Sequence, residues 1–176
     1  VNDRPDGQRP HGFPTRLDYY RHLRDLHEKA VGEEGKLFSL DERACELLRN
    51  EAVMYYHRYL AKFILEEYAE VIADTDHNLA LMEFCATYAG EESDRYMLEQ
   101  YRPYVLMMRT RSEALLALND KRPKSALRAV KKGQEEIAEF YRQSGMEPAE
   151  HSSEVMILNA LAKEIEENLP PDPVKE

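Results

Sequence analysis

The sequence predicts an all-α fold in which antiparallel helical hairpins stack on one another. Apolar residues recur at helical spacing through most of the chain. Glycine is scarce, Trp is absent, and Leu, Ala, Glu, Tyr and Met are plentiful, a composition that favours helix over sheet. Two stretches also share one plan. Asn50 to Ile64 leads through a short turn at 65–68 into Ala69 to Ala89, and Tyr104 to Leu118 leads through 119–123 into Lys124 to Gln143. Tyr68 and Pro123 stand just after the two turns, 55 positions apart. Each hairpin leaves an apolar face that only a neighbouring pair can cover, so stacking gives a short right-handed solenoid. An irregular helical bundle is the alternative.

A chain of 176 residues suits one domain with short tails. The expected division is a Pro/Gly-rich segment at 1–14, one helical-repeat domain at 15–168, and the start of a linker at 169–176. That length buries roughly 70% of the surface exposed on unfolding, so no metal or disulfide staple is required. The net charge of −10 keeps such a chain in solution and repels phosphate backbones, which disfavours nucleic acid as a partner. Cys45 and Cys85 fall in different helices without ligand spacing and read as reduced core thiols of a cytoplasmic protein, with a single disulfide left open. No apolar run approaches 18 residues, so no membrane span is expected. The chain opens on Val1 without a signal-peptide pattern and is expected to be a fragment of something longer.

In chain order, Pro5, Pro10 and Pro14 rule out a helix in the first stretch. Thr15, with Asp18 three positions on, caps a first helix to Ala30, whose face is Leu17, Tyr20, Leu23, Leu26 and Ala30. Ser39 and Glu42 form a capping box for a long helix to about Ile64, carrying Cys45, Leu48, Ala52, Tyr56, Leu60 and Phe63 at helical spacing. Gly90 fits the cap of the helix that follows. Pro103 breaks or kinks what would otherwise be one helix from Glu91 to Leu118. Ser144-Gly145 stops the second hairpin, and Ser152 or Ser153 caps a last helix facing inward through Val155, Leu158, Leu161, Ala162 and Ile165.

Chemistry is thin. A di-metal carboxylate bundle needs paired Glu-x-x-His motifs on facing helices. The nearest approach is Asp74-Thr75-Asp76-His77, which occurs once, so neither a metal nor a cofactor is expected. The sequence has no Gly-x-Ser-x-Gly, no Walker-type loop and no Gly-x-Gly-x-x-Gly, and no catalytic residue is assigned.

Two features invite binding instead. Tyrosines cluster from Tyr55 to Tyr104; periodicity puts most of them in the core, yet Tyr also suits peptide grooves. A basic segment also stands out in an acidic chain. Its strip is Lys121, Arg122, Lys124, Arg128, Lys131 and Lys132, which reads either as a contact for acidic tails or phosphate or as a solvated face. Arg111 falls on the apolar stripe with Met107, Met108 and Leu115, so it should have a carboxylate partner or face a groove. The groove candidates are Tyr55, Tyr59, Arg109 and Arg111, expected as an exposed concave patch.

The turns resemble those of tetratricopeptide repeats: an aromatic or Pro after the turn, then small and aliphatic residues (Val71-Ile72, Ala126-Leu127). The spacing of 55 differs from that repeat's 34. Over nearly its whole length the chain also resembles an uncharacterised bacterial family. The likeness lies in Arg4-Pro5-Asp6-Gly7-Gln8-Arg9-Pro10-His11-Gly12, Met54-Tyr55-Tyr56-His57-Arg58-Tyr59-Leu60, Phe84-Cys85-Ala86-Thr87-Tyr88-Ala89 and Leu98-Glu99-Gln100-Tyr101-Arg102-Pro103. Members of that family carry a UVR motif, the interaction hairpin of UvrB and UvrC, beyond a Pro-containing linker like Leu169 to Pro173. This chain ends at Glu176, before any such motif. The resemblance implies no activity and assigns no residue; it implies an adaptor. The expected function is therefore a non-enzymatic protein-interaction scaffold with a protein or peptide partner, and a homo-oligomer is compatible with it. The alternative is a repair-associated protein touching nucleic acid through the basic strip.

Overall fold

The computed structural model describes residues 12–32, 34–146 and 149–170. Most of the expected 1–14 segment, and the linker from 171 on, lie outside the described residues. The fold is all-α. Its helices are α1 (Arg16–Val31), α2 (Glu42–Ile64), α3 (Tyr68–Tyr88), the short α4 (Glu92–Tyr96), α5 (Arg102–Asn119), α6 (Pro123–Ser144) and α7 (Ser153–Glu167). Single 3-10 turns lie at Glu99–Tyr101 and Ala149–His151. The helices group into two compact units. One holds the described residues up to Tyr59 with His77–Gln100, and the other holds Leu60–Asp76 with those from Tyr101 on.

In the first unit, the Thr15 hydroxyl accepts from the Asp18 amide at 3.0 Å, so α1 begins where expected. Its apolar face is shorter than the sequence suggests: Leu17 is buried, while Leu26 is 50% exposed and Ala30 is exposed. The α2 cap also differs. Asp41, not Ser39, takes the Ala44 amide (2.8 Å). Ser39 and Leu40 instead lie against the end of α3, where Leu40 N–H donates to the Tyr88 carbonyl (2.7 Å) and Gly90 N–H donates to the Leu40 carbonyl (2.9 Å). Gly90 is not in the left-handed region. A Cβ there would lie 2.9 Å from Ser39 Oγ, so a larger residue would make that hydroxyl turn aside. Cys45, Leu48, Leu81 and Cys85 form the dry centre of this unit. Nearby, Arg49 and Asp94 make an ion pair at 3.0 Å, with the side chains 19% and 9% exposed.

The second unit is built on two copies of one turn. After α2, the Leu65, Glu66 and Glu67 amides donate to the Ala61, Phe63 and Lys62 carbonyls at 3.1, 3.0 and 2.9 Å. After α5, the Asp120, Lys121 and Arg122 amides donate to Leu116, Leu118 and Ala117 at 3.1, 3.0 and 2.9 Å. The central residue of each is left-handed, with φ 60° at Glu66 and 59° at Lys121. This is a helix C-terminal cap that satisfies the orphan carbonyls without glycine. The residue that opens the next helix is Tyr68 after one turn, packed edge-on to Phe63, and Pro123 after the other. Pro123 sits at the first helical position, where its missing amide costs nothing.

Pro103 breaks the 91–119 stretch as its geometry requires and occupies the first turn of α5. Helices α5, α6 and α7 pack on one another. Small residues bring α5 and α6 close: Gly133 of α6 lies against Thr110 of α5, and Ala114 and Ala117 follow on the Thr110 face, all buried. Gly145 caps α6 at φ 66°, and the Ser152 hydroxyl caps α7 by accepting from the Val155 amide (3.1 Å).

Candidate functional site

The four residues expected to line a groove are placed otherwise. Tyr55 and Tyr59 are interior, at 7% and 1% exposure, so neither belongs to an exposed patch. Both fall on the buried stripe of α2 with Leu48 and Ala52, one position round from the expected stripe, whose Tyr56 is 37% exposed. Arg109 is consumed by structure: Asp76, Glu113 and Glu136 surround it at 2.7, 3.3 and 3.8 Å. Arg111 makes no ion pair among the described residues. Its guanidinium lies over the Phe63 ring, 4.6 Å from the centroid, with the Met107 and Met108 sulfurs at 4.0 and 3.7 Å. Aromatic and thioether faces replace the carboxylate, which is tolerable because a guanidinium is weakly hydrated and stacks.

His77 belongs to a cluster that the sequence did not suggest. The buried carboxylate of Glu51 accepts from the Arg16 and Leu17 amides at 2.7 and 3.2 Å, fastening the start of α1 to α2. His77 Nε2 lies 3.1 Å from Glu51 Oε2, and its ring stacks on Tyr55 at 3.9 Å. A carboxylate at a helix N-terminus meets unpaired amides and the positive end of the helix dipole, so Glu51 is a cap supplied from another helix. Its signal was legible: a Glu inside the stripe Leu48, Ala52, Tyr55 needs a partner. Among the described residues, no group of three or more His, Cys, Asp or Glu is arranged to hold a metal.

The basic strip is the part of the expected site that the structure brings together. Lys121, Arg122, Lys124, Arg128, Lys131 and Lys132 are all exposed. Lys124, Arg128 and Lys131 follow one another at i, i+4 and i+7 along α6, which places them on one face. Local partners restrain part of the strip. Arg122 pairs with Asp120 (3.1 Å), Arg128 donates to Ser125 Oγ (2.9 Å), and Lys132 reaches Glu136 at 3.9 Å. Lys121, Lys124 and Lys131 have no ion pair among the described residues. Further along α6 the charge reverses. Arg142 binds Glu135 and Glu139 there, and its guanidinium holds the Glu139 carboxyl below the usual carboxylate range.

Beside the strip lies a cavity of about 170 Å³, walled by Leu115 and Leu118 of α5, Pro123 at the start of α6, and Leu161 and Ile165 of α7. Among the described residues, no helix is long and apolar enough to cross a membrane. No protein-family model, curated protein or solved structure matches the chain.

Proposed function

We propose that the chain is a non-enzymatic interaction module that receives an acidic protein segment on the basic half of α6. One observation carries this: in a chain of net charge −10, α6 and the turn before it present six cations to solvent, four of them without an ion pair among the described residues. A cationic patch on an anionic body attracts short acidic segments, while the body as a whole repels a long polyanion such as duplex DNA. Two further considerations support the adaptor reading: the resemblance to proteins bearing a UVR motif, and the paired turns, which fit a tetratricopeptide-like stack of hairpins.

The test is fluorescence anisotropy with a labelled octapeptide of Glu and Asp, alongside a duplex DNA of similar length. The peptide is expected to bind, to weaken as salt is raised, and to lose at least about tenfold in affinity with the K124E/R128E/K131E variant. No peptide binding at low salt sinks the proposal. DNA binding at near-physiological ionic strength, lost in the same variant, replaces it with the repair-associated reading.

A further inference from the structure

The cavity beside the strip deepens that reading and rests on it. We infer that the space between α5 and α7 is an anchor pocket for one large apolar side chain, aromatic or branched aliphatic, carried by the acidic segment that α6 attracts. The size fits. A cavity of about 150 Å³ lined by aliphatic side chains takes up benzene, and this one is about 170 Å³.

The lining fits as well. Ile165 is buried, while Leu115, Leu118, Pro123 and Leu161 are half-buried; these five make an apolar wall reachable from solvent, and the exposed Glu164 and Asn168 complete the lining on the α7 side. Chain connectivity fixes the charge beside the mouth. Pro123 is a wall residue, and its neighbours in sequence are the exposed Arg122 and Lys124; Leu118 is another, and the exposed Lys121 follows three residues on. A side chain seated against Pro123 therefore leaves its own backbone next to Lys121 and Lys124, with Arg122 beside them already paired to Asp120, and acidic neighbours are favoured there. The α7 edge has the opposite sign, through Glu164. Acidic residues of the occupant are thus directed toward α6. Affinity at the mouth is electrostatic and tolerant of sequence, whereas the pocket supplies the choice of partner.

The experiment compares two labelled octapeptides of Glu and Asp on the full chain, one with a central Phe and one with a central Ala. The Phe peptide is expected to bind about ten- to a hundredfold more tightly, the range for burying one large apolar side chain. It should also shift the methyl NMR signals of Leu118, Leu161 and Ile165, which the Ala peptide leaves in place. The mapping needs no protein variant, so misfolding cannot imitate failure. Leu161→Asp, checked for folding by circular dichroism, is expected to remove the Phe advantage and keep the salt-dependent remainder. If both peptides bind equally, the pocket inference is overturned and the basic-face reading stands. If neither binds, that reading falls and takes this one with it.

Discussion

Gly133 lies in the middle of α6, where glycine weakens a helix by about 1 kcal/mol relative to alanine. On propensity alone, Gly133→Ala should stabilise. The packing says otherwise. A Cβ at 133 would sit 2.1 Å from Thr110 Oγ1, 2.4 Å from Cγ2 and 2.7 Å from Cβ of the same residue. Thr110 is buried and β-branched, and rotation about χ1 leaves its Cβ where it is. The helices must therefore separate. Overpacking of this kind costs about 1–3 kcal/mol, and the severity of the contact places it at the upper end. After the propensity gain, a net loss of about 2 kcal/mol remains, lowering the melting midpoint by about 4–8 °C for a chain of this size. The assay is thermal and urea unfolding in a double-mutant cycle. Thr110→Ala should rescue only in part, because its Cβ persists, whereas Thr110→Gly should rescue fully. A Gly133→Ala protein as stable as the parent would refute the reasoning, and so would equal rescue by both partners.

At the twin turns, a left-handed conformation costs an ordinary residue about 1–2 kcal/mol, and glycine avoids it at some entropic expense. Glu66→Gly and Lys121→Gly are each expected to raise stability by about 0.5 kcal/mol in urea titration; a decrease at either, or an equal gain from Ala, would contradict the shared geometry. Glu51→Gln keeps the shape of the side chain and removes the charge that holds the α1 amides and His77, so a loss of about 2 kcal/mol is expected. An unchanged urea midpoint would show that the cap is idle. A hydrogen bond to Cys45, together with burial, pushes the Cys85 thiol up, so the folded chain keeps a proton that the unfolded chain releases above about pH 8.5. That contribution to stability is complete below this pH and declines as pH rises beyond it, by at most about 1.4 kcal/mol per pH unit. Urea midpoints at pH 8 and pH 10 should therefore fall more for the parent than for Cys85→Ala, and parallel declines would refute the shift.

Much of the helix plan was legible because its determinants are local. Pro103, Pro123, Ser152 and Gly145 act within one turn of themselves, and each does in the structure what its chemistry dictates. Non-local determinants were read less well. Ser39 and Glu42 match a capping pattern, but the bridge between Leu40 and Ala89 claims that segment, and Asp41 takes over the cap. Gly133 is unremarked in sequence because its reason is Thr110, 23 positions away on another helix. For the site, exposure was the missing quantity. The α2 stripe read from sequence ran through Tyr56, yet Tyr56 is exposed and Tyr55 and Tyr59 are buried, because adjacent tyrosines leave the register of an amphipathic face ambiguous by one residue.

The fate of the cations separates structure from function more sharply than the tyrosines do. Arg49 has Asp94, Arg109 has three carboxylates, Arg111 has Phe63, and Arg142 has Glu135 and Glu139. At Arg109, Arg111 and Arg142 the planar fork or stacking face of arginine is used, and lysine would be a poor substitute. Of the four strip cations without an ion pair among the described residues, Arg128 bonds the Ser125 hydroxyl, and the other three are lysines: Lys121, Lys124 and Lys131. A lysine offers a mobile, strongly hydrated point charge with no fixed geometry to impose on a ligand. Such a strip attracts a negative segment without reading it. Selectivity must then come from something rigid nearby, and beside the strip that is the aliphatic cavity whose wall includes Pro123. Replacing Lys124 and Lys131 with Arg should accordingly change affinity for acidic peptides little, whereas altering the anchor side chain should change which peptide is chosen.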